Sequence, residues 1–208
     1  GMISAKIDNC RTMLMRNHPG LPEDAPTELK RLSDSARSAK GMDTLLGVEG
    51  MAARTYFSMF EGMLKSGEDR QWRFDFNGRN RRPPLDPVNA MLSYAYSLLV
   101  KDITVTLLAV GFDPYLGFYH TVRYGRPSLA LDLMEEFRPI IADSVVLWAA
   151  NNRVLTPEDF IRRGRAATLT PDARKKFISA YQKRIDSLVT HPIFGYKISY
   201  RRVLEVQA

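Results

Sequence analysis

From Asp86 to Gly111 the sequence carries an apolar run that a single helix must absorb. Asp86-Pro87 supplies a capping side chain followed by proline at the first helical position. Behind it, Val88 to Val110 is apolar nearly all round. A helix without a broad polar face has to be buried, so this one is read as the central helix of its domain, ending at Gly111. The same stretch raises the question of a membrane span. Asn89, Lys101 and Asp102 interrupt it, which favours a buried helix in a soluble protein.

Helical punctuation dominates elsewhere. Ile3, Ile7, Cys10 and Leu14 share one face before His18-Pro19-Gly20 stops the pattern. A loop rich in proline, Gly20 to Pro26, leads to a second helix capped by Thr27 and carrying Leu29, Leu32 and Ala36. A third helix is expected from about Asp43 to Lys65. It contains Gly47 and Gly50 at a helix cost of ~1 kcal/mol each relative to Ala, which points to close approach by another backbone or a ligand. Ser66 to Leu85 breaks the periodicity, alternates Trp72, Phe74 and Phe76, and ends in the basic run Arg79-Asn80-Arg81-Arg82. It is read as a basic loop with room for a short strand.

Gly111 to His120 is a turn-rich connector, and Arg123 to Arg126 forms a second basic loop. Pro127-Ser128 opens the next helix, which Pro139 should kink or shorten. Thr156-Pro157 and Thr170-Pro171 repeat the cap-then-proline signal. Phe177, Tyr181 and Leu188 then share a face, and a short helix closes the chain near Ser199 to Val206. With clear strand signals scarce and no internal repeat, the expected fold class is all-α: a compact multi-helix domain with a central buried helix and basic loops.

A length of 208 residues suits one large domain, and a hydrophobic share of 45 % is enough for its core. The net charge of +7 suits an anionic partner, either nucleic acid or an acidic membrane surface. One cysteine, Cys10, excludes an intrachain disulfide and fits a reducing, cytoplasmic setting. With three histidines beside that cysteine, no thiolate zinc site can be built. No basic-then-apolar signal opens the chain. Gly1 ahead of Met2 reads as a cleavage scar, so the sequence is expected to start partway through a longer protein.

Four residues stand out chemically. Glu49 follows heptad spacing with Ala53, Tyr56 and Phe60, which puts a carboxylate in line with an apolar stripe. Either it sits near a frayed helix start and reaches water, or it needs a cation or a hydrogen-bond network, since burying it bare costs several kcal/mol. His120 follows the apolar run Tyr115 to Tyr119, and alone it reads first as a hydrogen-bonded core residue rather than a ligand. Asp132 and Glu135 share a helix face among Leu129, Leu131 and Leu133, and an ordinary solvated acidic face is the plainer reading. Taken together, carboxylates with one imidazole suit Mn²⁺ or Mg²⁺ better than zinc or copper. The basic loops, through Arg79, Arg81, Arg82, Arg123 and Arg126, could contact a DNA backbone.

Five linked segments resemble one known family. They are Lys6-Ile7-Asp8-Asn9-Cys10-Arg11; Gly47-Val48-Glu49-Gly50 through Arg54-Thr55-Tyr56-Phe57; Asp86-Pro87-Val88-Asn89-Ala90 through Tyr94-Ala95-Tyr96; Gly111-Phe112-Asp113-Pro114 through Tyr119-His120; and Arg126-Pro127-Ser128 through Asp132, Glu135 and Pro139. Their order and spacing resemble the CRISPR-associated Cas-one (Cas1) integrases and endonucleases over nearly the whole chain. The resemblance implies a catalytic Mg²⁺ or Mn²⁺ site built from Glu49, His120 and Glu135, the last an aspartate in many relatives. Asp132 would be a supporting acid that orients a ligand. Tyr56, Asn89 and Tyr96 resemble family positions near the site, although packing is the plainer reading of the two tyrosines.

The resemblance further implies cleavage of double-stranded and branched DNA, and joining of a DNA 3′-hydroxyl to a repeat phosphodiester during spacer acquisition. It implies a partner, Cas-two (Cas2), fusion to or binding of a Cas-four (Cas4) nuclease, and a homodimer when full length. The family's N-terminal β-rich domain is expected to be absent, so residues 1–208 would form the helical catalytic domain. The alternative is a non-catalytic helical module that binds DNA or a partner. A basic membrane-surface protein is the least favoured reading.

Overall fold

The computed structural model describes residues 1–65, 72–190 and 195–208. The stripe Ile3, Ile7, Cys10 and Leu14 is buried on α1 (Met2–Asn17), which stops at His18 as the His18-Pro19-Gly20 signal requires. α2 (Ala25–Ser38) buries Leu29 and Leu32 against α1. It begins two residues before Thr27, with Asp24 at the cap and Pro26 inside the first turn, where its missing N–H costs nothing. α3 (Met42–Ser58) buries Val48, Ala52 and Tyr56. It is shorter than the expected run to Lys65, because the chain breaks at Met59 and resumes as a single 3₁₀ turn, Glu61–Met63. Beyond its own helix backbone and chain neighbours, no atom of the described residues lies within 4 Å of a β-carbon built on Gly47 or Gly50.

α4 (Pro87–Ala109) fulfils the Asp86-Pro87 signal: the Asp86 carboxylate accepts the Asn89 N–H at 2.8 Å. It packs against α5 (Ser128–Phe137), α6 (Ser144–Asn151), α8 (Tyr200–Gln207) and strand β2 (Ala166–Leu169). Burial is not all round, because Val105 and Leu108 face solvent at its C-terminal end. By length and composition alone α4 could cross a membrane. Yet two of the residues that interrupt its apolar run are satisfied by protein: Asn89 in the loop before it, and Asp102, which accepts the Tyr181 hydroxyl at 2.9 Å.

Pro139 ends α5 as expected. Lacking an N–H, it cannot continue the i→i−4 ladder, and the backbone passes through a π-helical segment, Arg138–Asp143, before α6 begins. That wider turn places Arg138 and Asp143 beneath the cleft described below.

The all-α expectation is overturned by two antiparallel hairpins among the described residues, in a fold that stays mostly helical. β1 (Phe160–Arg163) pairs with β2, turning at Gly164 with φ of 60°, and Ala167 and Leu169 alternate into the core. Thr156-Pro157 therefore opens only a 3₁₀ turn, Pro157–Asp159, ahead of a strand. Thr170-Pro171 does cap α7 (Pro171–Ile185), which buries Phe177 and Tyr181. Leu188 falls outside that helix, exposed on β3 (Leu188–Thr190), which pairs with β4 (Lys197–Ser199). Of the stretch Ser66 to Leu85, residues 66–71 lie outside the described residues. The remainder, from Trp72, forms no strand and buries Phe74 and Phe76.

Candidate active site

The connector from Gly111 to His120 and the first turns of α5 are bound reciprocally. α5 has no side-chain cap; instead the Pro114 carbonyl accepts the Leu129 N–H at 2.9 Å and the Ala130 N–H at 3.4 Å. In return Asp132, fully buried on α5, accepts three backbone N–H groups of the connector, from Phe118 (2.6 Å), Tyr119 (2.9 Å) and His120 (2.8 Å). Its Oδ1 also lies 2.7 Å from His120 Nδ1. A carboxylate so placed fixes the imidazole with its proton on Nδ1 and leaves the Nε2 lone pair free. Nε2 faces Glu135 Oε1 at 3.8 Å.

Glu135 is one turn after Asp132 and nearly as buried. Burial alone would raise its pKa, but the charges of Arg138, at 3.0 Å, and Lys6, at 2.7 Å, outweigh that and hold the carboxyl below the usual glutamate range. Lys6, on α1, also bonds Glu49 Oε1. Its ammonium thus bridges two carboxylates from α3 and α5. Burial pulls its pKa down, while Glu135 and Glu49 together carry it above the ordinary lysine value.

Beneath this layer, Tyr96 and Tyr56 donate their hydroxyls to Asp143 at 2.7 and 3.1 Å, and the Arg138 guanidinium lies over the Tyr96 ring at 4.6 Å. Tyr96 therefore braces the arginine that grips Glu135, and Tyr56 braces Tyr96 through the Asp143 carboxylate they share. Asn89 is a brace as well. Its amide donates to the Gly78 carbonyl at 2.9 Å and accepts from the Asn80 N–H at 3.0 Å, binding the first basic loop to α4.

Glu49, His120 and Glu135 consequently line one cleft of about 270 Å³, with Lys6, Arg138, Arg81 and Arg126 around them. Arg82 and Arg123 are exposed outside it. Arg79 is turned inward, onto Asn89 Oδ1 at 2.7 Å and Ser93 Oγ at 3.2 Å. The donors suit a hard divalent ion: two carboxylates and an imidazole with its second nitrogen committed elsewhere. No ready-made cage of three such donors exists among the described residues, since Glu49 and Glu135 are both turned onto Lys6. Lys6, Arg138 and Asp143 were not singled out from the sequence. Arg138 was legible as the residue three after Glu135; Lys6 had only its place within the first motif.

The profile of the family described as CRISPR associated protein Cas1 matches residues 1–183. The chain belongs to the Cas1 family. A "CRISPR-associated exonuclease Cas4/endonuclease Cas1 fusion" from Geobacter sulfurreducens is 53 % identical over 212 residues, covering 99 % of this chain and 38 % of that protein. The chain likewise spans less than two thirds of the next Cas1 relatives, 36 % and 59 % of their lengths. Among solved structures, a casposase bound to integration product superposes with a TM-score of 0.84 at 26 % identity, covering 99 % of this chain and 56 % of that one. The "Cas6-RT-Cas1--Cas2 complex" superposes with a TM-score of 0.83 at 25 % identity, covering 99 % and 22 %.

Proposed function

We propose that residues 1–208 form the helical catalytic domain of a Cas1 endonuclease and integrase, which cuts DNA and joins a DNA 3′-hydroxyl to a repeat phosphodiester in spacer acquisition. The observation that carries this reading is the fixed His120, its Nδ1 bound to Asp132 and its Nε2 directed at Glu135, in a cleft shared with Glu49. Glu49, His120 and Glu135 would hold Mg²⁺ or Mn²⁺. Such an ion, when bound, supplies charge stabilisation to the attacking and leaving oxygens of a phosphodiester.

The chain's own residues do the rest. Asp132 holds the imidazole in place and aims its Nε2 at the cleft. Arg138 anchors Glu135 from below, so the carboxylate meets the cleft in one orientation. Arg81 and Arg126, on opposite loops of the rim, would seat the phosphates on either side of the reacting one. Arg82 and Arg123 extend that basic track over the surface. Alignment of the scissile phosphate is most of what such a reaction asks of a protein.

Partners follow from the same family. One relative is a Cas4/Cas1 fusion and one neighbour is a complex containing Cas2, which supports Cas2 as partner and Cas4 as a fused or bound nuclease. A homodimer in the full-length protein and a cytoplasmic setting, in keeping with the free, buried Cys10, complete the proposal.

The test is cleavage of branched and linear DNA with Mn²⁺ by the chain and by its Glu49→Ala variant. Strand scission that needs Mn²⁺ and drops at least a hundredfold in the variant is expected. DNA binding with no scission by either protein would instead make this a non-catalytic binding module.

A further inference from the structure

Lys6 occupies the middle of the candidate metal cleft, and its position has consequences beyond the ligand set. Its ammonium bonds Glu49 and Glu135 together, in the space between the two carboxylates that a divalent ion would share. The cleft lining carries four cations, Lys6, Arg81, Arg126 and Arg138, against two carboxylates, Glu49 and Glu135. Asp132 adds little charge outward, because four donors already surround its oxygens. Such a cleft is positive before any metal arrives. A divalent cation entering it meets like charge at the ammonium it must replace, and that repulsion weakens its binding.

We infer that Lys6 is a built-in stand-in cation, and that a divalent ion binds well only once a DNA phosphodiester draws the lysine off the two carboxylates. The arrangement keeps Glu49 and Glu135 turned toward one point without metal, since removing the ammonium would leave two partly buried carboxylates repelling each other. It also couples the two ligands. The phosphate offers the ammonium a new anionic partner and offsets the added charge of the ion, so metal and DNA strengthen each other's binding reciprocally. Lys6 is in this sense a positioning residue that delays metal loading until substrate is present.

The inference rests on the metal-site reading above, and binding of Mn²⁺ separates the two. The 208-residue chain, Lys6→Met and Lys6→Arg are titrated with Mn²⁺ alone, and free Mn²⁺ is followed by its paramagnetic resonance signal. The titrations are repeated with a short branched DNA, after subtraction of Mn²⁺ bound by the DNA itself. Without DNA, Lys6→Met should bind Mn²⁺ about tenfold tighter or more, whereas Lys6→Arg should stay within about threefold of the parent. Adding DNA should tighten Mn²⁺ binding markedly in the parent and little in Lys6→Met. If Lys6→Met does not fold, Lys6→Gln, which removes the charge and keeps a donor, carries the same expectation. Mn²⁺ binding that is equal or weaker in the neutral variant overturns the role given to Lys6. Mn²⁺ binding by the parent no stronger than by Glu49→Ala, with and without DNA, overturns the metal site itself.

Discussion

Asp132 and His120 are joined twice: the carboxylate accepts the backbone N–H of His120 at 2.8 Å and its Oδ1 lies 2.7 Å from the same residue's ring nitrogen. One buried side chain on α5 thus sets both where the histidine stands and which nitrogen it presents. Asp132→Asn should uncouple these effects, because an amide nitrogen cannot accept from the N–H groups that face it. One or two connector donors would then be buried without an acceptor, at about 1–3 kcal/mol each. A lower unfolding midpoint and Mn²⁺ affinity weakened about 10- to 100-fold are expected. Unchanged thermal unfolding together with unchanged Mn²⁺ binding would refute the orienting role.

Arg79 and Arg81 are two residues apart in one basic loop and do different things. Arg79 is spent on Asn89 and Ser93, while Arg81 lines the cleft. Arg81→Ala should lower the slope of log K for DNA against log salt by roughly 0.9 if it neutralises one phosphate, with little effect on folding. Arg79→Ala should cost about 1–3 kcal/mol of stability through the loosened loop and leave that slope nearly unchanged. Salt titrations of DNA binding beside denaturant unfolding of each variant distinguish the two, and equal slopes for both variants would argue against the division.

Asp143 gives the fold a pH dependence of unusual sign. Burial pushes its carboxyl up to about 6, against hydrogen bonds from Tyr96 and Tyr56 and the charges of Arg138 and Arg79. The folded chain therefore keeps a proton that the unfolded chain releases at its ordinary value near 3.8. Where folded protein binds more protons, stability falls as pH rises, so this group's contribution is fullest below 3.8 and declines through about 6. Between pH of about 5 and about 7 the decline should be ~1 kcal/mol. Asp143→Asn should remove it, seen as a smaller difference between unfolding free energies at the two pH values. Parallel pH profiles for parent and variant would contradict the burial argument.

The two kinds of signal in this sequence were unequally legible. Helix starts written as cap-then-proline, at Asp86-Pro87 and Thr170-Pro171, hold because the capping hydrogen bond is local. The same dipeptide at Thr156-Pro157 opens only a turn, since the next residues pair as β1 with β2, a partner several residues away. Glu49, His120 and Glu135 drew attention as acids and an imidazole near apolar residues. Their meeting in one cleft depends on α1, α3 and α5 packing together, which no periodicity contains. Lys6, though part of the first motif, showed no site role for the same reason: its meaning lies in two carboxylates, 43 and 129 residues distant. Gly47 and Gly50 suggested close approach by another backbone or a ligand, and among the described residues no other backbone comes within 4 Å of a β-carbon built on either.

Glycines with and without neighbours give the last test. A β-carbon on Gly117 would meet the Ser128 β-carbon at 2.6 Å and its backbone carbonyl carbon at 2.7 Å, so the connector can rest on the start of α5 only because residue 117 has no side chain. Backbone cannot move aside as a side chain tip can. Gly117→Ala should therefore lift the connector away from α5, lengthening the hydrogen bonds from Phe118, Tyr119 and His120 to Asp132. We expect a loss of about 1–3 kcal/mol in stability and a fall in DNA cleavage exceeding that of Arg81→Ala, because the imidazole shifts with the connector. Gly50→Ala is the control. With open space around it in the middle of α3, it should gain up to ~1 kcal/mol from better helix propensity. Equal unfolding midpoints for the two alanine variants would show that the connector yields easily, and the tight seating of His120 on α5 would have to be given up.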